Sequence, residues 1–231
     1  MKVGIVGAGT MGAGIAQVCA MAGHHVILFD VNSDALNKAT VAIEKNLDKG
    51  ISIGKLTEEV KSKALALIEN TNNLNELKVD LVIEAIVERL DVKTKLFQDL
   101  AEINGPKTVL ATNTSSIPIT QISAAIPHPE RVVGIHFFNP AHIMKLVEVV
   151  SGAHTSPEIA KFAFDFVKEI KKTPIMAKDS PGFIVNRVAR HYYVEGLKIL
   201  EENVASHSDI DELLQSSGFK MGPFKLMDLI G

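Results

Sequence analysis

The feature that most constrains the fold is the order strand, glycine turn, helix, strand and acid at the start of the chain. Lys2 to Val6 is a short apolar run that passes directly into Gly7, Ala8, Gly9, Thr10, Met11 and Gly12. Met11 to Ala22 then carries Ile15, Val18, Cys19 and Ala22 at the spacing of a buried helix. Gly23 closes that helix, and His25 to Phe29 reads as a second strand with Asp30 at its end. Gly7 permits a tight turn, Gly9 lets the backbone approach a pyrophosphate, and Gly12 lets the helix pack on the strand. The helix N-terminus, opening at Thr10 and Met11, offers N–H groups and positive partial charge to a phosphate. Asp30 follows Gly7 by 23 residues, where a carboxylate accepts hydrogen bonds from both ribose hydroxyls of an adenosine. The same charge repels a 2′-phosphate, so the pattern predicts dinucleotide binding with NAD favoured over NADP.

A chain of 231 residues with 46% hydrophobic content supports one large or two unequal domains around a substantial core. The net charge of −3 gives no reason to expect a nucleic-acid partner or a membrane surface. Cys19 is the single cysteine, so no disulfide forms within the chain, which is compatible with a reducing compartment. The first strand starts at Lys2, leaving no room for a signal or transit peptide, and no apolar run has the length of a membrane helix. The expected address is cytoplasmic.

Beyond Asp30, Asp34 to Lys49 reads as a helix, Gly50 to Gly54 as a break, and Thr57 as the cap of a further helix whose first turn carries Glu58 and Glu59. This helical excursion, residues 34–67, holds Lys45, Lys49, Lys55, Lys61 and Lys63, which form either a solvated face or a landing place for the phosphates of an anionic ligand. Asp80 to Ile86 is a continuous apolar run that reads as a central parallel strand, followed by a helix over Asp91 to Ile103. Val109 to Thr112 is another strand, and it empties into Asn113, Thr114, Ser115 and Ser116. Ligands of open parallel sheets lie beyond the carboxyl ends of the strands, so Glu88 and Ser115 stand where a cofactor or substrate would be. Alternatively Ser115 or Ser116 caps a helix near Ile119 to Ile126, and Glu88 is exposed loop. Ser156 and Pro157 read as cap and first position of a helix to Glu169, and Thr173 to Ala177 as a last strand. Pro181 and Gly182 mark a boundary. Past it the pattern is helical only, over Ile184 to Glu202 and over Ser208 to Ser216 with Ser208 as cap.

Arg131 to Phe137 and Lys145 to Val150 read as apolar, β-branched strands, with His136 near the end of one and Glu148, twelve residues later, in the other. A base that takes a proton from an alcohol works best with a pKa near the operating pH, where histidine starts, and a carboxylate behind it completes the device. A structural histidine beside a surface glutamate is the alternative.

Taken together, GAGTMGAGIAQ, NTSSIPIT, HFFNPAHIMKLVEVV, DSPGFIVNR and MGPFKLMDLIG resemble the short-chain L-3-hydroxyacyl-CoA dehydrogenases, and most of all the bacterial 3-hydroxybutyryl-CoA branch of that family. The resemblance runs from Lys2 to Gly231. It implies an α/β chain: a Rossmann-like, doubly wound, mostly parallel sheet over residues 1–180, and a smaller all-helical domain over 181–231. It further implies oxidation of the 3-hydroxyl of an acyl-CoA with hydride passing to NAD, and homodimers or higher homo-oligomers formed through the C-terminal helices. By the family's pattern His136 is the general base and Glu148 its orienting partner. Ser115 and Asn186 bind the reacting oxygens, and Asn113 and Asn139 support the cofactor side of the site. Glu88 and Lys93 line the nicotinamide ribose. Because Asn186 lies beyond Pro181 and Gly182, the active site is expected between the two domains.

Two departures stand out. Ser52, Ile53, Gly54 and Lys55 occupy the place where relatives often have two lysines before a glycine and a further lysine, leaving Lys55 as the expected coenzyme A phosphate contact. The chain also stops at Gly231, where relatives continue for several helices, so the second domain is expected to be incomplete relative to the family. Two other readings are a crystallin-like dinucleotide-binding protein without turnover and an NAD-dependent dehydrogenase of a non-CoA hydroxy acid.

Overall fold

β1 (Lys2–Val6) lies inside an eight-stranded sheet, with β2 (His25–Phe29) on one side and β4 (Leu81–Glu84) on the other. The computed structural model describes residues 1–230, in two units, Met1–Pro181 and Gly182–Gly231. The remaining strands of the first unit are β3 (Ile68–Thr71), β5 (Val109–Thr112), β6 (Val132–Phe137), β7 (Leu146–Ser151) and β8 (Thr173–Lys178), in the order β3-β2-β1-β4-β5-β6-β7-β8. All neighbours are parallel except β6 and β7, whose antiparallel register sets His136 opposite Glu148. The strand order reverses between β1 and β4, which opens a crevice at their carboxyl ends.

The central strands are Val-, Ile- and Leu-rich because helices cover both faces, and β4, β5 and β6 are buried along their whole length. Ile5, Leu28, Ile83, Ile135 and Val149 meet Ile15 of α1 (Thr10–Met21) in one core. The glycine turn is fixed by close approach. Gly7 has φ +103°, and a Cβ there would stand 2.6 Å from the Ala85 carbonyl oxygen. A Cβ on Gly12 would fall 1.7 Å from the Gly7 carbonyl oxygen, so α1 can sit this close to the strand end only with glycine at that position.

The excursion is α2 (Ser33–Ser52) and α3 (Glu58–Ala66), the latter capped by the Thr57 hydroxyl accepting from the Val60 N–H. The expected break at Gly50 is instead helix. A Cβ on Gly50 would lie 2.5 Å from Leu56, so the residue is retained for packing and the turn falls at Ile53 and Gly54. Within the excursion Lys61 pairs with Asp48, and Lys63 reaches Glu59 at 2.6 Å. Edge strand β3 was not expected from its sequence. The helices α4 (Leu90–Ile103), α5 (Ile119–Ser123) and α6 (Pro157–Glu169) complete the unit, the last capped by Ser156. α5 is shorter than expected and neither Ser115 nor Ser116 caps it. Asp179 does, accepting from the N–H groups of Ile119 at 3.1 Å and Thr120 at 2.8 Å.

The second unit holds α7 (Val185–Glu201), α8 (His207–Ser216) and α9 (Pro223–Ile230). The cap of α8 is Ser206 rather than Ser208, since its hydroxyl accepts from the Asp209 N–H. α9 begins at a proline, which has no N–H to satisfy there. Its next two N–H groups, of Phe224 and Lys225, donate to the buried Asp211 at 2.9 and 3.0 Å. Tyr192 Oη donates to the Met221 carbonyl at 2.8 Å and its ring stacks on Phe219, fixing the approach to α9 from α7. Among the described residues no helix is long and apolar enough to cross a membrane. Replacing Asp211 with Ala should therefore cost about 1–3 kcal/mol, because two donors lose a charged acceptor. Denaturant unfolding checks this, and an unchanged midpoint would show that the cap contributes nothing.

Candidate active site

β6 and β7 supply the chemical pair. His136 Nδ1 lies 2.7 Å from Glu148 Oε2, with the histidine side chain 7% exposed and the carboxylate fully buried. A carboxylate cannot donate, so Nδ1 carries the N–H and the Glu148 oxygen accepts it, which fixes the tautomer and the ring plane. Phe138 packs its ring 4.6 Å from the imidazole centroid. The two residues are brought together by register rather than by a loop. Directly opposed antiparallel residues share a face of the sheet, so the pair is set by the hydrogen-bond ladder itself.

Asn113 follows β5, and its side-chain oxygen accepts from the Phe137 N–H at 2.8 Å, tying the end of β6 to the turn after β5. Ser115 and Ser116 stand in that turn. Glu88, in the loop after β4, is not idle loop: its Oε1 accepts from the Ser115 N–H at 3.1 Å, the Ser116 N–H at 3.3 Å, the Ser116 hydroxyl at 3.0 Å and the Thr114 hydroxyl. Burial pushes the Glu88 carboxyl up, but the Thr114 and Ser116 hydroxyls and the Lys93 charge outweigh it and hold it below the usual carboxylate range. Lys93 is buried beneath, 1% exposed, with its ammonium directed to Glu84 and, at 3.2 Å, to Glu88 Oε2. Its reach toward a ligand is thus through Glu88. Sequence reasoning missed Glu84. The available signal was a charge inside an apolar run that reads as a buried strand, a position that demands a partner.

At the switch point itself a cleft of about 580 Å³ lies between Val6, Gly9, Phe29 and Asp30 on one side and Ile86 and Leu96 on the other. Asp30 has a backbone role that sequence reasoning did not assign: Oδ2 accepts from the Ala8 N–H at 2.8 Å and Oδ1 from the Asn32 N–H at 2.9 Å. Each oxygen keeps a further lone-pair direction for a ribose hydroxyl. A Cβ on Gly9 would meet nothing within 4 Å, so the turn faces open space at the N-terminus of α1. Thr10 and Gly9 are exposed, and Met11 is half-buried against the core. Cleft, acid, open turn and helix N-terminus all fit a dinucleotide. Asn139 is exposed beyond the end of β6, and Lys55 is exposed between α2 and α3. Asn186 lies in the first turn of α7, in the second unit.

Residues 2–180 match the family model described as 3-hydroxyacyl-CoA dehydrogenase, NAD binding domain, and residues 182–231 match that of the C-terminal domain. The chain is 49% identical to the 3-hydroxyadipyl-CoA dehydrogenase of Escherichia coli (strain K12), over 99% of this chain and 49% of the relative. It is 42% identical to the 3-hydroxybutyryl-CoA dehydrogenase of Clostridioides difficile, over 100% of this chain and 83% of that protein. The crystal structure of (S)-3-hydroxybutyryl-CoA dehydrogenase from Ralstonia eutropha superposes with a TM-score of 0.96 at 41% identity, covering 100% of this chain and 82% of that one. The chain thus spans about half the length of the E. coli relative. With both units matched in order, and with an NAD-binding first unit, the chain belongs to the 3-hydroxyacyl-CoA dehydrogenase family.

Proposed function

We propose that the chain interconverts an (S)-3-hydroxyacyl-CoA and the corresponding 3-oxoacyl-CoA, with 3-hydroxybutyryl-CoA and acetoacetyl-CoA as the substrate pair. The observation that carries the reading is the buried His136–Glu148 pair. When bound, NAD supplies the acceptor for the hydride that leaves C3. His136 takes the hydroxyl proton on Nε2, since Nδ1 is committed to Glu148, and the imidazolium that forms lies against a buried carboxylate. Ser115 and Asn186 fix the reacting oxygen, mainly a positional contribution. Asn113 and Asn139 support the cofactor side beside His136, Glu88 and Lys93 serve the nicotinamide ribose, and Lys55 is the contact offered to the coenzyme A phosphates. The relatives' names differ in the acyl group, adipyl in one and butyryl in another. The butyryl choice follows the five sequence blocks, and loss of NADH absorbance with acetoacetyl-CoA tests it directly.

His136→Ala is expected to lower turnover by on the order of 10² to 10⁴ while leaving NADH affinity nearly unchanged. Equal losses in turnover and cofactor binding would make the residue structural. Glu148→Gln should cut the rate roughly tenfold or more through the tautomer and the imidazolium, and a variant with a normal rate and pH profile would dissolve the pairing. Asp30→Ala should weaken NADH roughly ten- to a hundredfold and narrow the gap to NADPH, since a charge-assisted contact and a repulsion vanish together. A native preference for NADPH would refute the ribose role.

The proposed setting is the cytoplasm, which cell fractionation would test. The Cys19 thiol is compatible with it: burial pushes its pKa up to about 12, leaving an inert side chain. A homo-oligomer is proposed because Val188, Leu213 and Leu229 of the second unit are each 66–70% exposed. Light scattering is expected to give at least a dimer, and a monomer at all concentrations would exclude it.

A further inference from the structure

We propose that Glu84 is a positioning residue for the turn from Asn113 to Ser116: acting through Lys93 and Glu88, it sets where Ser115 stands without itself meeting a ligand. The inference rests on the role given to Ser115 under the proposed function. Glu84 ends β4, fully buried, and both its oxygens are engaged. Oε1 accepts from the Ile86 N–H at 2.7 Å and from the Lys93 ammonium, and Oε2 accepts from the Thr112 hydroxyl at 2.7 Å. Two routes then lead to the turn. In one, Lys93 also holds Glu88 Oε2 at 3.2 Å, while Glu88 Oε1 gathers the N–H groups of Ser115 and Ser116 and the hydroxyls of Thr114 and Ser116. The two oxygens of Glu88 therefore divide the work, one fixed by the lysine and one fixing the turn. In the other, the Thr112 Oγ1 that donates to Glu84 accepts the Thr114 N–H at 3.2 Å.

The electrostatics give the arrangement its direction. An ammonium at 1% exposure requires compensating charge, and here it has two carboxylates, one wholly buried and one at the site. Neutralising Glu84 leaves Glu88 as the sole counter-charge of this lysine in the network. The lysine then draws the Glu88 carboxylate toward itself, and the acceptor that holds Ser115 and Ser116 moves with it. The competing account is a core ion pair with no bearing on the turn, whose loss would loosen β4, β5 and α4 alike.

Hydrogen exchange on the full chain, read beside turnover of acetoacetyl-CoA, separates the two. In Glu84→Gln, which keeps size and shape, the amides of Ser115 and Ser116 are expected to exchange roughly tenfold or more faster, the factor for loss of one charged acceptor. Those of Leu81 to Ile83 and Leu110 to Ala111 should stay protected. Turnover falls, and Glu84→Gln combined with Ser115→Ala is no slower than Ser115→Ala alone. Uniform acceleration across the strands, or independent and multiplying losses in the double variant, would overturn the proposal. If Glu84→Gln does not fold, Thr112→Val removes the donor on the second oxygen and should give the same pattern more weakly, and wild-type exchange and turnover in that variant would equally overturn it. An unaltered chain that fails to reduce acetoacetyl-CoA would sink the proposed function, and the exchange pattern would still decide the positioning role.

Discussion

Backbone N–H groups at the carboxyl edge of the sheet need acceptors once the loops fold over it, and in this protein carboxylates provide them. Asp30 holds Ala8 and Asn32, Glu84 holds Ile86, and Glu88 holds Ser115 and Ser116. The N–H groups of Ala8 and Ile86 are partly shielded from water, where a donor without an acceptor costs about as much as a lost hydrogen bond. Each acid therefore fixes a loop that would otherwise be free to vary. The glycine turn, the turn after β4 and the serine turn are thus each tied at their amides to a charge carried by the sheet or by a neighbouring loop.

The chemical pair obeys a stricter constraint. His136 and Glu148 are opposed across the one antiparallel seam of the described sheet, so neither can shift without breaking the β6–β7 ladder. A slip of one residue between the two strands would put the two side chains on opposite faces of the sheet. A fully buried carboxylate is costly unless hydrogen-bonded, and the imidazole N–H is the donor shown for it here. The same bond thus answers a folding requirement and sets the tautomer that proton transfer needs. Asn113 extends the constraint sideways by accepting from Phe137, so the serine turn and the histidine strand are held in common.

What could be read from the sequence was whatever is local. The glycine turn, the second strand, Asp30, the strand at Val109 to Thr112 and the caps Thr57 and Ser156 lie within one turn or one periodic run. Features decided by distant partners were not legible. Gly50 reads as a break, but Leu56 makes it a packing position within α2. β3 escaped because Glu69 and Asn70 give an exposed edge no apolar alternation. α9 was missed because its cap, Asp211, comes from 13 residues away, and the N-terminal cap of α5, Asp179, comes from 59 residues away. His136 and Glu148 were found by residue type and strand position, whereas their opposition in register is a property of pairing that one strand's sequence does not encode.

Glu84 shows where the two kinds of information meet. It sits in a run, Leu81 to Ile86, whose apolar character marks a central strand, and the single charge within it contradicts that reading unless a counter-charge arrives from elsewhere. Lys93 arrives from the first turns of α4, one helical approach away, and brings Glu88 with it. A charge placed inside a buried strand of an otherwise consistent fold is thus an indication of a network rather than an anomaly. In this family member the network ends at a serine beside the proposed reacting oxygen. The energetic burden of burying two charges, Glu84 and Lys93, is carried where a rigid turn is needed, whereas the second unit, with no such network described, keeps its last helix in place through one buried aspartate and a tyrosine hydroxyl.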